Sequence, residues 1–278
     1  MGKFSNTWAL MGESWQLLKR DKEILLFPLI SGICCLVVIA SFAIPIIVSG
    51  AWRPASLGTS TNSHIIYYAT LFLFYFCNYF VIVFFNTAIV ACAVLRMEGG
   101  DPTVSDGLRA AGARLSLIAS WALIQATVGL ILRVIEDRSE RLGQIIASLL
   151  GMAWTVTSFL VIPILVIEEK GPFAALEESA SLLKKTWGEQ LIGNFSFGLV
   201  FFLLSIPAFI VIALGFASGS GAGVVIGIIL AAVYLIGLAL IQSALQAIFQ
   251  AAIYLYVRDG QIPQGFRAGS LANAITKK

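Results

Sequence analysis

Amide and hydroxyl side chains inside long apolar stretches are the residues whose types and spacing indicate chemistry in this sequence. Gln242, Gln246 and Gln250 recur every four residues, which places them on one face of a helix. Such a face either lines a path or pocket for a neutral or lipid-like molecule, or forms the hydrogen bonds that hold neighbouring helices together. Both interpretations stay open. The candidate polar seam comprises Asn78, Asn86, Thr155, Gln242, Gln246 and Gln250.

Catalytic and metal-binding patterns are absent from the sequence. It contains no GxSxG, P-loop, GxGxxG or HExxH motif. A zinc or iron–sulfur site needs several convergent cysteine or histidine ligands. The chain offers only Cys34, Cys35, Cys77, Cys92 and His64, without a CxxC pair. We therefore predict a protein without enzymatic activity, metal or cofactor.

Charged residues avoid the centres of the apolar stretches. Arg133, at the end of one stretch, is the nearest to such a centre. Ion-coupled carriers usually need charges inside the membrane, so this distribution disfavours ion-coupled transport and leaves a passive path open. The adjacent carboxylates Glu168 and Glu169 follow an apolar stretch and are typical of a solvated helix end rather than an acid/base pair.

The composition indicates which solvent surrounds the chain. Of its 278 residues, 59% are hydrophobic and 12% are charged, whereas soluble domains carry about 25% charged residues. Stretches of about 20 apolar residues cross a bilayer as helices, because backbone groups in lipid must pair internally. We predict an all-α, polytopic membrane helical bundle with six spans, near residues 24–49, 66–95, 115–134, 144–167, 190–215 and 224–256.

The distribution of the 18 lysine and arginine residues predicts the orientation of these spans. If the N-terminus is cytoplasmic, most basic residues lie on the inner side, and the outer side keeps Arg53, Arg133, Arg138 and Arg141. This is the positive-inside pattern, so both termini are predicted to be cytoplasmic. The net charge of +3 is modest, and no basic run indicates binding to nucleic acid.

A charged octapeptide occurs twice, as ESWQLLKR at residues 13–20 and as ESASLLKK at residues 178–185. At helical spacing, one stripe holds Trp8, Met11, Trp15 and Leu18 around the first copy, and Phe173, Leu176, Ala180 and Leu183 around the second. Glu13 or Glu178 lies on the opposite, polar side, as in a helix at a membrane surface. We predict three such amphipathic helices on the cytoplasmic face, at residues 5–22, 103–114 and 172–187. The predicted membrane-surface contacts are Trp8, Trp15, Lys19, Arg20, Phe173, Lys184 and Lys185.

The spans group into three units, each an amphipathic helix followed by a transmembrane hairpin. The even-numbered spans end alike, with an acid, a glycine and a proline, in RMEGGDP (96–102), EEKGP (168–172) and RDGQIP (258–263). Proline after a glycine prevents the helix from continuing. We predict a single transmembrane domain, residues 1–278, with a cytoplasmic C-terminal tail at 257–278.

Two segments resemble a known family. FSNTWALMGESWQLLKRDKEILLFPLISG (4–32) and VIPILVIEEKGPFAALEESASLLKKTWGEQLIGNF (161–195) resemble the signatures of an uncharacterised bacterial family of six-span integral membrane proteins. The pattern is also similar to the membrane domain fused to some glycerophosphodiester phosphodiesterases, whose soluble catalytic barrel this sequence lacks. The resemblance implies a helical fold in the bacterial cytoplasmic (inner) membrane, and it names no ligand.

Two functional hypotheses follow. The first is transport or accommodation of a small neutral or lipid-like molecule within the bundle. The alternative is a non-enzymatic structural or regulatory membrane module that binds anionic lipid or a protein partner. Membrane lipids are expected partners in both. A homo-oligomer is a further expectation, because Gly223 and Gly227 form a GxxxG motif.

Overall fold

A computed structural model gives the three-dimensional structure and describes residues 3–48, 61–138, 140–187, 196–260 and 262–275. Over these ranges the chain is all-helical and contains no β-strand. Six of the described helical segments are long and apolar enough to cross a membrane. The predicted class, a multi-pass helical membrane protein, is therefore confirmed.

The described residues form eleven α-helices, and a short 3-10 helix at Lys22–Leu25 links the first two. The first six are α1 (Lys3–Arg20), α2 (Leu26–Val48), α3 (Thr61–Met97), α4 (Val104–Gly112), α5 (Leu115–Arg138) and α6 (Glu140–Thr157). The others are α7 (Val161–Ile167), α8 (Pro172–Trp187), α9 (Ser196–Ala217), α10 (Gly221–Asp259) and α11 (Ala268–Ile275). Helices α1, α4 and α8 fall on the three segments predicted ahead of the hairpins.

The six candidate spans lie within three residues of the predicted ones, apart from the start of the fifth, which lies at Gly198 rather than near residue 190. They are Lys22–Val48, Ile65–Met97, Leu115–Asp137, Leu142–Ile167, Gly198–Ala217 and Gly221–Asp259. Predicted span residues 49 and 190–195 lie outside the described residues. Helices α3 and α10, with 37 and 39 residues, exceed the length of about 20 residues that a bilayer needs, so each tilts or extends beyond the hydrocarbon layer.

Local sequence sets where α4 and α10 begin and end. At the start of α4, the Thr103 hydroxyl accepts a hydrogen bond from the Asp106 N–H, and the Asp106 carboxylate accepts one from the Thr103 N–H. Hydrogen bonds from the Thr103 hydroxyl and N–H lower the pKa of the Asp106 carboxyl, because they favour its charged form. Helix α10 begins after a Ser220 cap, and Gly260 follows its last residue with a φ of 66°, which favours glycine.

The chain divides into two compact units. Unit 1 comprises Met1–Pro28, Ala93–Pro102 and Leu182–Lys278, and unit 2 comprises Leu29–Cys92 and Thr103–Ser181. In unit 1, α1 packs on α9, α10 and α11, and α9 packs along α10. In unit 2, α5 packs against α6, and α4 contacts α5. The segment predicted as a C-terminal tail thus contains a helix that packs on α1.

Glycines let α9 and α10 approach closely in unit 1. A Cβ atom at Gly215 would lie 2.8 Å from the carbonyl oxygen of Gly223, and one at Gly227 would lie 3.1 Å from the carbonyl oxygen of Val211. Small residues bring helix backbones together in this way inside membranes. The GxxxG motif of Gly223 and Gly227 therefore packs against α9 of the same chain. This contact within one chain does not support a homo-oligomer, which stays a prediction.

The fourth span is interrupted at residues 158–160, between α6 and α7. Pro163 follows three residues later; it has no N–H to donate and its ring crowds the preceding turn, which disfavours a regular helix there. At the interruption, the Ser179 hydroxyl of α8 donates to the Thr157 carbonyl oxygen at 2.6 Å and accepts from the Leu160 N–H at 3.1 Å. Ser179 is fully buried, so one hydroxyl replaces hydrogen bonds that the interruption removes.

An aromatic pair and a hydrogen bond hold α5 against α6 in unit 2. The rings of Trp121 and Trp154 stack with their centroids 5.7 Å apart. The indole Nε1–H of Trp154 also donates to the Gln125 side-chain oxygen at 2.6 Å. Interhelical hydrogen bonds of this kind contribute to packing inside membranes. Helix packing therefore explains the polar residue Gln125 within α5.

Candidate functional site

Helix α1 has one buried side and one open aromatic side. Leu10, Glu13, Ser14 and Leu17 are buried, and their spacing of three to four residues places them on the same side of the helix. Trp8, on a different side, is 64% exposed. A large aromatic side chain exposed on a helix of a membrane protein is typical of contact with lipid.

An apolar groove lies along the open side of α1 within unit 1, and we call it the α1 groove. Its volume is about 390 Å³. Helix α1 contributes Trp8, Met11, Gly12 and Trp15. Helices α9 and α10 contribute Phe201, Leu204, Leu238, Ile241 and Leu245. Because these side chains are hydrophobic, the groove matches hydrocarbon rather than a polar solute.

A positive charge lies beside Trp15, one of the residues that line the α1 groove. The Lys19 ammonium nitrogen is 5.4 Å from the centroid of the Trp15 ring, which is within cation–π range. Lys19 and its neighbour Arg20 are exposed. Neither takes part in the ion pairs formed by the described residues of unit 1. The apolar groove thus has beside it an exposed lysine that forms no ion pair with the described residues.

The buried Glu13 connects α1 to α11. Its Oε1 accepts a hydrogen bond from the Ser270 hydroxyl at 2.7 Å, and the Arg267 Nε lies 3.9 Å from the same oxygen. The Glu13 Oε2 and the Ser14 Oγ are buried and have no hydrogen-bond partner in the described part of the chain. The helical pattern placed Glu13 on the polar side of α1. That side is instead buried, because α11 packs on α1.

A family comparison covers most of the chain. A family model matches residues 65–265, well over half of the sequence. The chain belongs to DUF6159, a family of unknown function. No curated protein matches the chain significantly, and neither does any solved structure. The resemblance to an uncharacterised family agrees with this result, whereas a bacterial origin and the likeness to phosphodiesterase membrane domains stay predictions.

The DUF6159 match includes only part of the α1 groove. Helices α9 and α10 lie within the matched residues, whereas α1 and α11 lie outside them. Membership of a family of unknown function therefore identifies neither a ligand nor an activity for the groove.

In this DUF6159 chain, the residues of the predicted polar seam belong to two different units. Unit 2 holds Asn78, Asn86 and Thr155, and unit 1 holds Gln242, Gln246 and Gln250. The Asn78 amide donates to the Phe74 carbonyl oxygen at 3.0 Å, and the Thr155 hydroxyl donates to the Gly151 carbonyl oxygen at 2.9 Å. Each of these hydrogen bonds joins two residues of the same helix, α3 in the first case and α6 in the second. Gln246 is exposed, and a continuous seam stays a prediction.

Most of the predicted membrane-surface residues are exposed. The exposed ones are Trp8, Trp15, Lys19, Arg20 and Lys184, together with Phe173, which is 74% exposed. The side chain of Lys185 lies outside the described residues. Exposure is necessary for membrane contact, and the contact itself stays a prediction for this DUF6159 protein.

The adjacent carboxylates Glu168 and Glu169 each have a cationic partner. The Arg114 guanidinium donates to Glu169 at 2.7 Å, and Lys170 pairs with Glu168 and Glu178. The hydrogen bond to Glu168, and to a smaller extent the one to Glu178, raises the pKa of the Lys170 ammonium. This geometry is that of a structural ion-pair cluster. Among the described residues, no group of three or more His, Cys, Asp or Glu side chains could hold a metal ion.

Sequence reasoning missed the second wall of the α1 groove. It selected Trp8 and Trp15, but Phe201 and Leu245 are ordinary members of apolar spans in the sequence. Nothing in their type or spacing distinguishes them from residues that only contact lipid. The signal that comes closest is Gly12, a glycine within the amphipathic pattern that leaves space beside the two tryptophans.

Proposed function

We propose that this protein accommodates the acyl chain of a membrane lipid in the α1 groove. The observation that supports this function is the groove itself, an apolar cavity of about 390 Å³ between a tryptophan-bearing helix and two long apolar helices. Burying apolar surface is favourable by roughly 25 cal/mol per Å². Hydrocarbon is therefore the ligand that matches this lining, and six candidate spans make the bilayer its source.

The proposal includes an orientation in the membrane. Helices α1, α4 and α8 lie along the cytoplasmic surface of a bacterial inner membrane, each ahead of one of three transmembrane hairpins. The positive-inside distribution of Lys and Arg supports this arrangement. The two octapeptides also support related roles for α1 and α8, because the serine after the glutamate in each copy, Ser14 or Ser179, is fully buried.

Filling the groove is expected to expel the lipid. Gly12 lines the α1 groove, and a Cβ atom at this position would meet no atom within 4 Å. Gly12→Trp therefore places an indole in the groove without a clash at the backbone. We expect the lipid retained by the full-length protein in mild detergent to fall about tenfold, equivalent to about 1.4 kcal/mol of binding free energy. Native mass spectrometry measures this retention.

The matched control for this experiment is Gly32→Trp. Gly32 is exposed on α2, and a Cβ atom there also meets nothing within 4 Å. This variant adds the same side chain away from the groove and should retain lipid like the native protein. If Gly12→Trp retains as much lipid as Gly32→Trp, the α1 groove does not hold the lipid and the proposed function is wrong.

The polar residues of α10 give a second test, which separates accommodation from transport. Gln242, Gln246 and Gln250 do not line the α1 groove, so replacing all three by leucine should leave lipid retention unchanged. Reconstituted vesicles then report the flux of a small neutral solute. A drop in lipid retention in the triple variant would indicate that the lipid binds at the polar seam instead of the α1 groove. A loss of flux in the triple variant would favour transport over accommodation.

A further inference from the structure

A second and smaller cavity, of about 80 Å³, lies in unit 1, and we call it the polar pocket. Its polar lining consists of Gln16, Arg20, Arg96 and Gln264, and Leu17 with two glycines completes it. Trp15 of the α1 groove and Gln16 of the polar pocket are consecutive residues of α1. The two cavities therefore adjoin the same turn of one helix.

The charge of the polar pocket depends on Arg20. Arg96 forms ion pairs with Asp21, which is buried, and with Asp101, so two carboxylates more than balance its single positive charge. The described ion pairs of unit 1 do not include Arg20. The pocket also lies where α1 and α3 end, and the carbonyl ends of helices repel anions. Binding of an anion here would therefore require the Arg20 guanidinium.

We propose that the polar pocket binds the phosphate group of a phospholipid whose acyl chain lies in the α1 groove, an inference that rests on the proposed function. A guanidinium binds phosphate through paired hydrogen bonds, and the amide N–H groups of Gln16 and Gln264 are additional donors. Lys19, above the Trp15 ring, adds a second positive charge at the groove. A phospholipid carries both groups, an acyl chain that suits the apolar lining and a phosphate that suits the Arg20 guanidinium.

The test compares three ligands by native mass spectrometry of the full-length protein in detergent. They are a phosphatidic acid, a diacylglycerol with the same acyl chains, and inorganic phosphate. The native protein should bind the phosphatidic acid at least about tenfold more tightly than the diacylglycerol, and Arg20→Gln should remove most of this preference. Arg109→Gln, at an exposed arginine of α4 in unit 2, is the matched control and should keep it.

Each outcome decides between the possible ligands. Equal binding of the two lipids by the native protein, or an unchanged preference in Arg20→Gln, overturns this inference while acyl-chain accommodation stands. Inorganic phosphate that binds alone as tightly as the phosphatidic acid shows that free phosphate is the ligand, and it overturns the lipid part. If neither lipid binds and Gly12→Trp changes nothing, the proposed function itself fails.

Discussion

Replacing Ser179 by alanine should lower the free energy of unfolding by about 1–3 kcal/mol. The Ser179 hydroxyl is the partner of both the Thr157 carbonyl oxygen and the Leu160 N–H at the interruption of the fourth span. Leu160 and Ser179 are buried, so water cannot readily replace the lost hydrogen bonds. Titration of the detergent-solubilised protein with a denaturing detergent, followed by circular dichroism, measures the change.

The control for this prediction is Ser181→Ala. Ser181 lies in the same helix and the same octapeptide, but it is exposed. Its replacement should change the unfolding free energy by less than about 0.5 kcal/mol, as is usual for surface substitutions. Equal stability of the two variants would mean that Ser179 does not hold the interrupted span together.

Replacing Gly215 by alanine should destabilise the protein by about 1–3 kcal/mol, the usual cost of overpacking. The new methyl group would lie 2.8 Å from the Gly223 carbonyl oxygen, a backbone atom that cannot move aside like a side chain. Helices α9 and α10 would have to separate along their whole contact. Thermal unfolding in detergent, measured by circular dichroism, reports this loss as a lower midpoint temperature.

Gly237→Ala is the matched control, with an expected effect of opposite sign. Gly237 lies within α10, and a Cβ atom there meets nothing within 4 Å. Alanine is more favourable than glycine inside a helix by about 0.8–1.0 kcal/mol, so this variant should be slightly more stable than the native protein. A Gly215→Ala variant as stable as Gly237→Ala would contradict the close backbone contact between α9 and α10.

The transmembrane architecture could be predicted because it depends on local composition. A bilayer imposes a minimum apolar length on each span, and this length is visible in any window of the sequence. The six candidate spans therefore begin and end close to those predicted, apart from the start of the fifth span at Gly198. The start of α8 at Pro172 could be located for the same reason, since proline favours the first turn of a helix.

The details of the candidate site depend on contacts between distant parts of the chain, and the sequence does not show them. Glu13 is an acid on the polar side of a helical pattern, yet it is buried because α11 packs on α1. Ser179 was one hydroxyl in a repeated octapeptide, and its partners are 19 and 22 residues away. A helical wheel gives the direction of a side chain, but not which other helix meets it.

The hydrogen bond between Glu13 and Ser270 joins residues that are 257 positions apart, and this separation has a consequence for biosynthesis. At a translation rate of about 5–20 residues per second, α1 emerges from the ribosome more than about ten seconds before α11 does. Throughout that interval the buried Glu13 lacks the Ser270 hydroxyl as its hydrogen-bond partner. The α1 groove is completed only after α9 and α10 have been synthesised, so a nascent chain that stalls before α10 lacks the second wall of the groove.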